Sequence, residues 1–162
     1  MYPCIELAGF AAAQAVCCLF DRQPLVPLAF SRRASGAPTV SLLPAGTSDA
    51  IAAYGQHWLA ANVDGADEAV VVCDAYVTIA GIKKDALLLD LQSYRHPVGR
   101  MRMAVPYRPH RHDVILAVHR PKFIVGAVDG YDTAALTQAF FRGVLSHDTG
   151  AAIWNACADQ DW

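Results

Sequence analysis

The chain has 162 residues, of which 54% are apolar and 17% charged, and its net charge is −2. That length suits one domain spanning 1–162, and so apolar a composition excludes intrinsic disorder, because burial can offset the chain's conformational entropy. Near-neutrality disfavours general attraction to nucleic acid or an anionic membrane, and the apolar surplus predicts a homodimer that covers an apolar patch.

In chain order, Ile5, Ala8, Ala12, Ala15, Val16 and Leu19 recur at helical spacing, which predicts a helix over about Pro3 to Asp21. The segment lacks a basic leader, contains Glu6 and Gln14, and is short for a bilayer span, so it reads as a buried core helix. Leu25 to Phe30 and Thr39 to Leu43 are β-type runs joined by a turn over Ser31 to Pro38, which absorbs Arg32 and Arg33. Pro27 makes the first of them an expected edge strand. Thr47 or Ser48 caps a second helix to Asn62, with Ile51, Tyr54, Trp58 and Leu59 as its stripe. Ala69 to Ile79 and Ala86 to Leu91, with Gly81 between them, predict a β-hairpin.

Met101 to Tyr107, Val114 to His119 and Phe123 to Val128 predict three more strands, with edges or bulges at Pro106, Pro109 and Pro121. Asp132 or Thr133 opens a helix carrying Leu136, Phe140 and Val144, and a last short helix covers Ala151 to Ala158. Short turns between consecutive strands imply an antiparallel sheet. The expected fold is therefore α+β, with five to seven strands and helices packed mainly on one face.

The five cysteines, Cys4, Cys17, Cys18, Cys73 and Cys157, are odd in number and have no CxxC spacing. They read as small hydrophobes in a reducing compartment, which predicts a soluble, cytoplasmic protein. Phosphate loops, GxGxxG turns, GxSxG elbows and HExxH pairs do not occur. Ser146, His147 and Asp148 are adjacent, whereas a catalytic triad converges from separate positions, so the run reads as a helix end.

The hairpin contains two acids, Asp74 and Asp90. A turn centred near Ile82 sets them directly opposite each other, where the like charges are destabilising unless a cation such as Mg²⁺ or Mn²⁺, a shared proton or water intervenes. With Gln92 two residues after Asp90, the pattern resembles the active-site hairpin of the PD-(D/E)xK nuclease superfamily, with glutamine in the place of its lysine. The resemblance implies a metal-dependent phosphodiesterase with Asp74 and Asp90 as metal ligands. A register shifted by one residue instead puts the acids on opposite faces, solvated or paired with arginine.

Between Tyr94 and Lys122 lie seven of the 13 Lys/Arg residues and four of the six histidines, with Asp113 the only acid, so this stretch is about +6 and the remainder about −8. His110, His112 and Asp113 are a second potential metal set, for Zn²⁺ or Fe²⁺. The whole segment also forms an expected basic surface of Arg95, Arg100, Arg102, Tyr107, Arg108, His110, Arg111 and His112. It suits an acidic protein partner, and the leading functional expectation is a non-catalytic interaction module, with the metal-dependent enzyme as its rival.

Overall fold

The computed structural model describes residues 1–34, 36–62, 64–95, 98–110, 115–126 and 130–159. Four helices and seven strands follow one another as α1 (Tyr2–Phe20), β1 (Leu28–Arg32), β2 (Thr39–Leu42), α2 (Ser48–Ala61), β3 (Glu68–Ile79), β4 (Ile82–Ser93), β5 (Gly99–Arg108), β6 (Ala117–Val118), β7 (Lys122–Gly126), α3 (Thr133–Leu145) and α4 (Asp148–Cys157). The strands form one antiparallel sheet in the order β2-β1-β3-β4-β5, with β6 and β7 pairing different ends of β5. This is the α+β architecture that the sequence pattern predicts.

Two expectations about the strands change. Pro27 stands just before β1 and its carbonyl accepts the Leu43 N–H at 2.9 Å, so β1 is an inner strand and β2 is the edge. The run Val114 to His119 supplies only the two residues of β6, and residue 114 lies outside the described residues.

Alternation divides the sheet's side chains between two cores. On one face Phe30, Val70, Val72, Leu87, Leu89, Met103 and Val105 join the core built around α1, which packs on the strands and carries α3 and α4 against it. On the other, Ala29, Ala69 and Val71 meet Leu59 of α2, with Leu43 beside them. Three helices therefore lie on one side of the sheet, with α1 as the layer against it, and a single helix covers part of the other face.

The α1 helix is the centre of the larger core. Cys4, Ile5, Leu7, Ala8, Ala11, Ala12 and Ala15 are fully buried. By length and mean hydropathy (1.6 in its most apolar window), α1 is long and apolar enough to cross a membrane, contrary to the expectation from its length, yet most of that window is buried inside the fold. Small residues make this packing close. A Cβ on Gly9 would overlap the Phe140 carbonyl of α3, and one on Gly143 would overlap the Glu6 carbonyl of α1, so the two backbones touch at reciprocal glycines.

The Ser146-His147-Asp148 run joins α3 to α4, as expected of a helix end. His147 caps α4, its Nδ1 accepting the Gly150 N–H at 3.0 Å, so its Nε2–H donates to Gln14 of α1 at 2.9 Å.

Candidate functional site

The β3–β4 hairpin turns through Ala80 and Gly81, both at positive φ (50° and 80°). Its centre thus falls one and a half residues earlier than a turn at Ile82. Asp74 pairs with Leu87 and Asp90 with Val71. An odd offset reverses the face, so the two acids point to opposite sides of the sheet. They cannot share a metal, and the expected metal pair is not formed. Asp90 is instead held by Arg102 across β4 and β5, in a two-pronged bond at 2.6 and 2.8 Å. Among the described residues, no group of three His, Cys, Asp or Glu side chains could hold a metal ion. Of the second candidate set, His112 and Asp113 lie outside the described residues, as does Arg111.

The basic stretch does not assemble into one open surface. Arg95 pairs with Asp67 at 2.6 Å, and the guanidinium holds that carboxyl below its ordinary pKa. Arg102 is committed to Asp90, and Arg108 approaches Asp159 at 3.8 Å. Arg100 differs, since its guanidinium donates to the neutral amide oxygens of Gln92 and Gln56. Strand alternation separates these groups further. Arg100 and Arg102 face the α2 side, whereas Tyr107 is buried on the α1 side.

Tyr107 leads to a site that the basic pattern does not reveal. Its hydroxyl donates to Asp74 Oδ1 at 2.7 Å, and Asp74 opens onto a cleft of about 400 Å³ between the sheet and the C-terminal end of α1. Leu19, Arg22, Leu25, Pro109 and His110 also line it. Displacement of water by the surrounding protein pushes the Asp74 carboxyl above its ordinary pKa; the Tyr107 bond opposes this, and the Asp85 charge adds to it. Burial and the same carboxylate drive the Tyr107 phenol strongly upward, so it remains a proton donor. The Nε2 atom of His110 is buried and has no hydrogen-bond partner among the described residues, and the ring meets Phe20 edge-on at 6.0 Å.

Arg22 reaches the cleft from an unusual backbone. The end of α1 is a Schellman closure, with Gln23 N–H bonded to the Cys18 carbonyl at 2.9 Å and Arg22 N–H to that of Leu19 at 3.1 Å. Its left-handed position is ordinarily glycine, yet Arg22 occupies it at φ 56°. A side chain there costs on the order of 1 kcal/mol.

No family model, curated protein or solved structure matches the chain.

A cavity of about 450 Å³ lies near the end of β1 and is lined by a polar network. Ser31 bonds Thr39 and Asp64, Arg33 donates to the Asp64 carbonyl, and Arg32 pairs with Glu68. The Arg32-Arg33 pair is thus a brace between β1 and the entry to β3. Next to it runs β2, all four of whose residues are exposed, with Val40 at 58% and Leu42 at 74%. Among the described residues, β2 pairs with β1 alone.

The residue pattern points to Tyr107, His110 and Asp74 separately but not to their neighbourhood, and Arg22 and the exposed β2 edge lie outside the expected sites. The alternation of Val40 and Leu42 was the available signal for the edge. Nothing in the local sequence marks Arg22 as left-handed.

Proposed function

We propose that this domain is a protein-interaction module that engages other chains through the β2 edge, and that its first partner is a second copy of itself. The observation that carries the reading is the character of this edge. Thr39-Val40-Ser41-Leu42 has no charge or proline, is open on its outer side among the described residues, and exposes two large apolar side chains. Edge strands are ordinarily blunted by charge, proline, a bulge or a cover, because an open ladder templates pairing. Antiparallel pairing about a two-fold axis at Ser41 sets Val40 of one copy against Leu42 of the other, on a single face. The five free cysteines support a reducing, cytoplasmic setting.

Sedimentation equilibrium tests this reading. The wild-type chain should self-associate with rising concentration, and the Val40→Lys/Leu42→Lys double variant should stay monomeric with an unchanged circular dichroism spectrum, since both side chains are exposed. A wild-type chain that remains monomeric into the millimolar range would overturn it.

A second reading, an acidic partner on the 94–122 segment, is favoured by Arg100, whose charge rests on neutral amides. It requires binding of polyglutamate that weakens with salt and with Arg100→Glu.

A further inference from the structure

The Asp74 cleft holds an unresolved electrostatic arrangement. Arg22 approaches it from the end of α1 and Asp74 from β3, and among the described residues neither is in an ion pair, with the other or with any third group. Both charged residues are exposed, and Leu19, Leu25 and Pro109 add an apolar lining to the same cleft. On the sheet side, Asp85 shares the Asp74 face and adds a second negative charge, while Tyr107 fixes one Asp74 oxygen and leaves the carboxylate a receptor for a cation. His110 adds a buried ring nitrogen whose hydrogen bond is not made among the described residues. The volume, about 400 Å³, falls in the range of small-molecule sites. A metal ion would find only Asp74 and His110 as ligands, and no third His, Cys, Asp or Glu joins them among the described residues.

We infer that this cleft binds a small zwitterion with an apolar body, an amino acid or dipeptide, its ammonium group on Asp74 and its carboxylate on Arg22. Complementary charges that line one cleft are satisfied together by a ligand that carries both, and each contact is a charge-assisted hydrogen bond. The backbone at Arg22 gives independent support. Glycine would relax its left-handed conformation, so the arginine costs stability at a position where its side chain lines the cleft. This site is separate from the β2 edge and stands or falls without it.

Calorimetric titration of the full chain with L-leucine and with leucyl-leucine tests the inference, with leucinamide and N-acetyl-leucine as probes that each lack one charge. At least one zwitterion should saturate a single site, and both one-charge probes should bind at least tenfold more weakly. Asp74→Asn and Arg22→Gly should each weaken the zwitterion at least tenfold, while Arg22→Gly raises the melting temperature, so that the loss is not one of folding. Saturation by neither zwitterion, equal binding of the one-charge probes, or unchanged affinity in both variants would overturn the inference.

Discussion

Replacing Gly9 with alanine tests the contact on which the larger core depends. In an ordinary helix interior the change stabilises by about 0.8–1.0 kcal/mol, because alanine loses less backbone freedom on folding. Here the new Cβ would stand 2.9 Å from the Phe140 carbonyl carbon and 3.0 Å from the Val144 nitrogen, besides overlapping the Phe140 oxygen. Ordinary carbon contacts lie at about 3.5–4.0 Å, and the oxygen overlap is closer still, so α1 and α3 must part by more than about 1 Å. Every neighbour named is backbone, and no flexible side chain can give way. Overpacking of this kind costs about 1–3 kcal/mol, and a rigid backbone contact belongs at the upper end. Subtracting the propensity gain leaves a net loss of about 2 kcal/mol, or about 4–8 °C in melting temperature for a domain of this size.

Urea denaturation should show a lower midpoint with an unchanged slope. Gly143→Ala should behave alike, since its Cβ meets the Glu6 carbonyl carbon at 2.7 Å. The double variant should lose less than the sum, because helices already parted admit the second methyl. A gain of about 1 kcal/mol in Gly9→Ala would show that the helices do not touch at this point and would refute the argument.

Asp74 gives a prediction in pH. Its carboxyl is raised in the fold, mainly by loss of water, so between its unfolded pKa, about 3.9, and the higher folded value the native state holds more protons than the unfolded chain. The Asp74 contribution to stability should therefore decline as pH rises through that window. Asp74→Asn should be the more stable at neutral pH, with the difference vanishing in acid; equal melting temperatures at both ends of the range would contradict the assignment. Burial lifts Cys4 to about 12 and, with help from Asp90 and Asp74, Cys73 to about 11. Native protein should alkylate at both positions far more slowly with iodoacetamide at pH 8 than the urea-unfolded chain, read by peptide mass spectrometry.

The elements were legible wherever one local rule acted alone. The Val- and Leu-rich hairpin, the caps at Thr47 and Asp132, and the α1 stripe all follow from periodicity and turn chemistry. The candidate metal site failed on a small difference in register. Ala80 takes a left-handed φ that alanine seldom adopts, and that tight turn decides which face Asp74 and Asp90 occupy. The basic stretch was legible as composition, but its fate was not. Arg95, Arg102 and Arg108 find acids at positions 67, 90 and 159, brought close by pairing and docking that a local pattern does not encode. Arg22 was hidden for the same reason as Ala80, since a left-handed residue without glycine leaves no trace in the sequence.

The burial of α1 also has a consequence in time. Its contacts with α3 close against a helix that begins at Thr133, more than a hundred residues later in the chain. At a synthesis rate of about 5–20 residues per second, α1 is made roughly 6–25 s before α3 is complete to receive it. During that interval the most apolar segment of the protein is a nascent helix without its final neighbours. It then presents to the ribosome's surroundings a hydropathy that only the finished fold conceals.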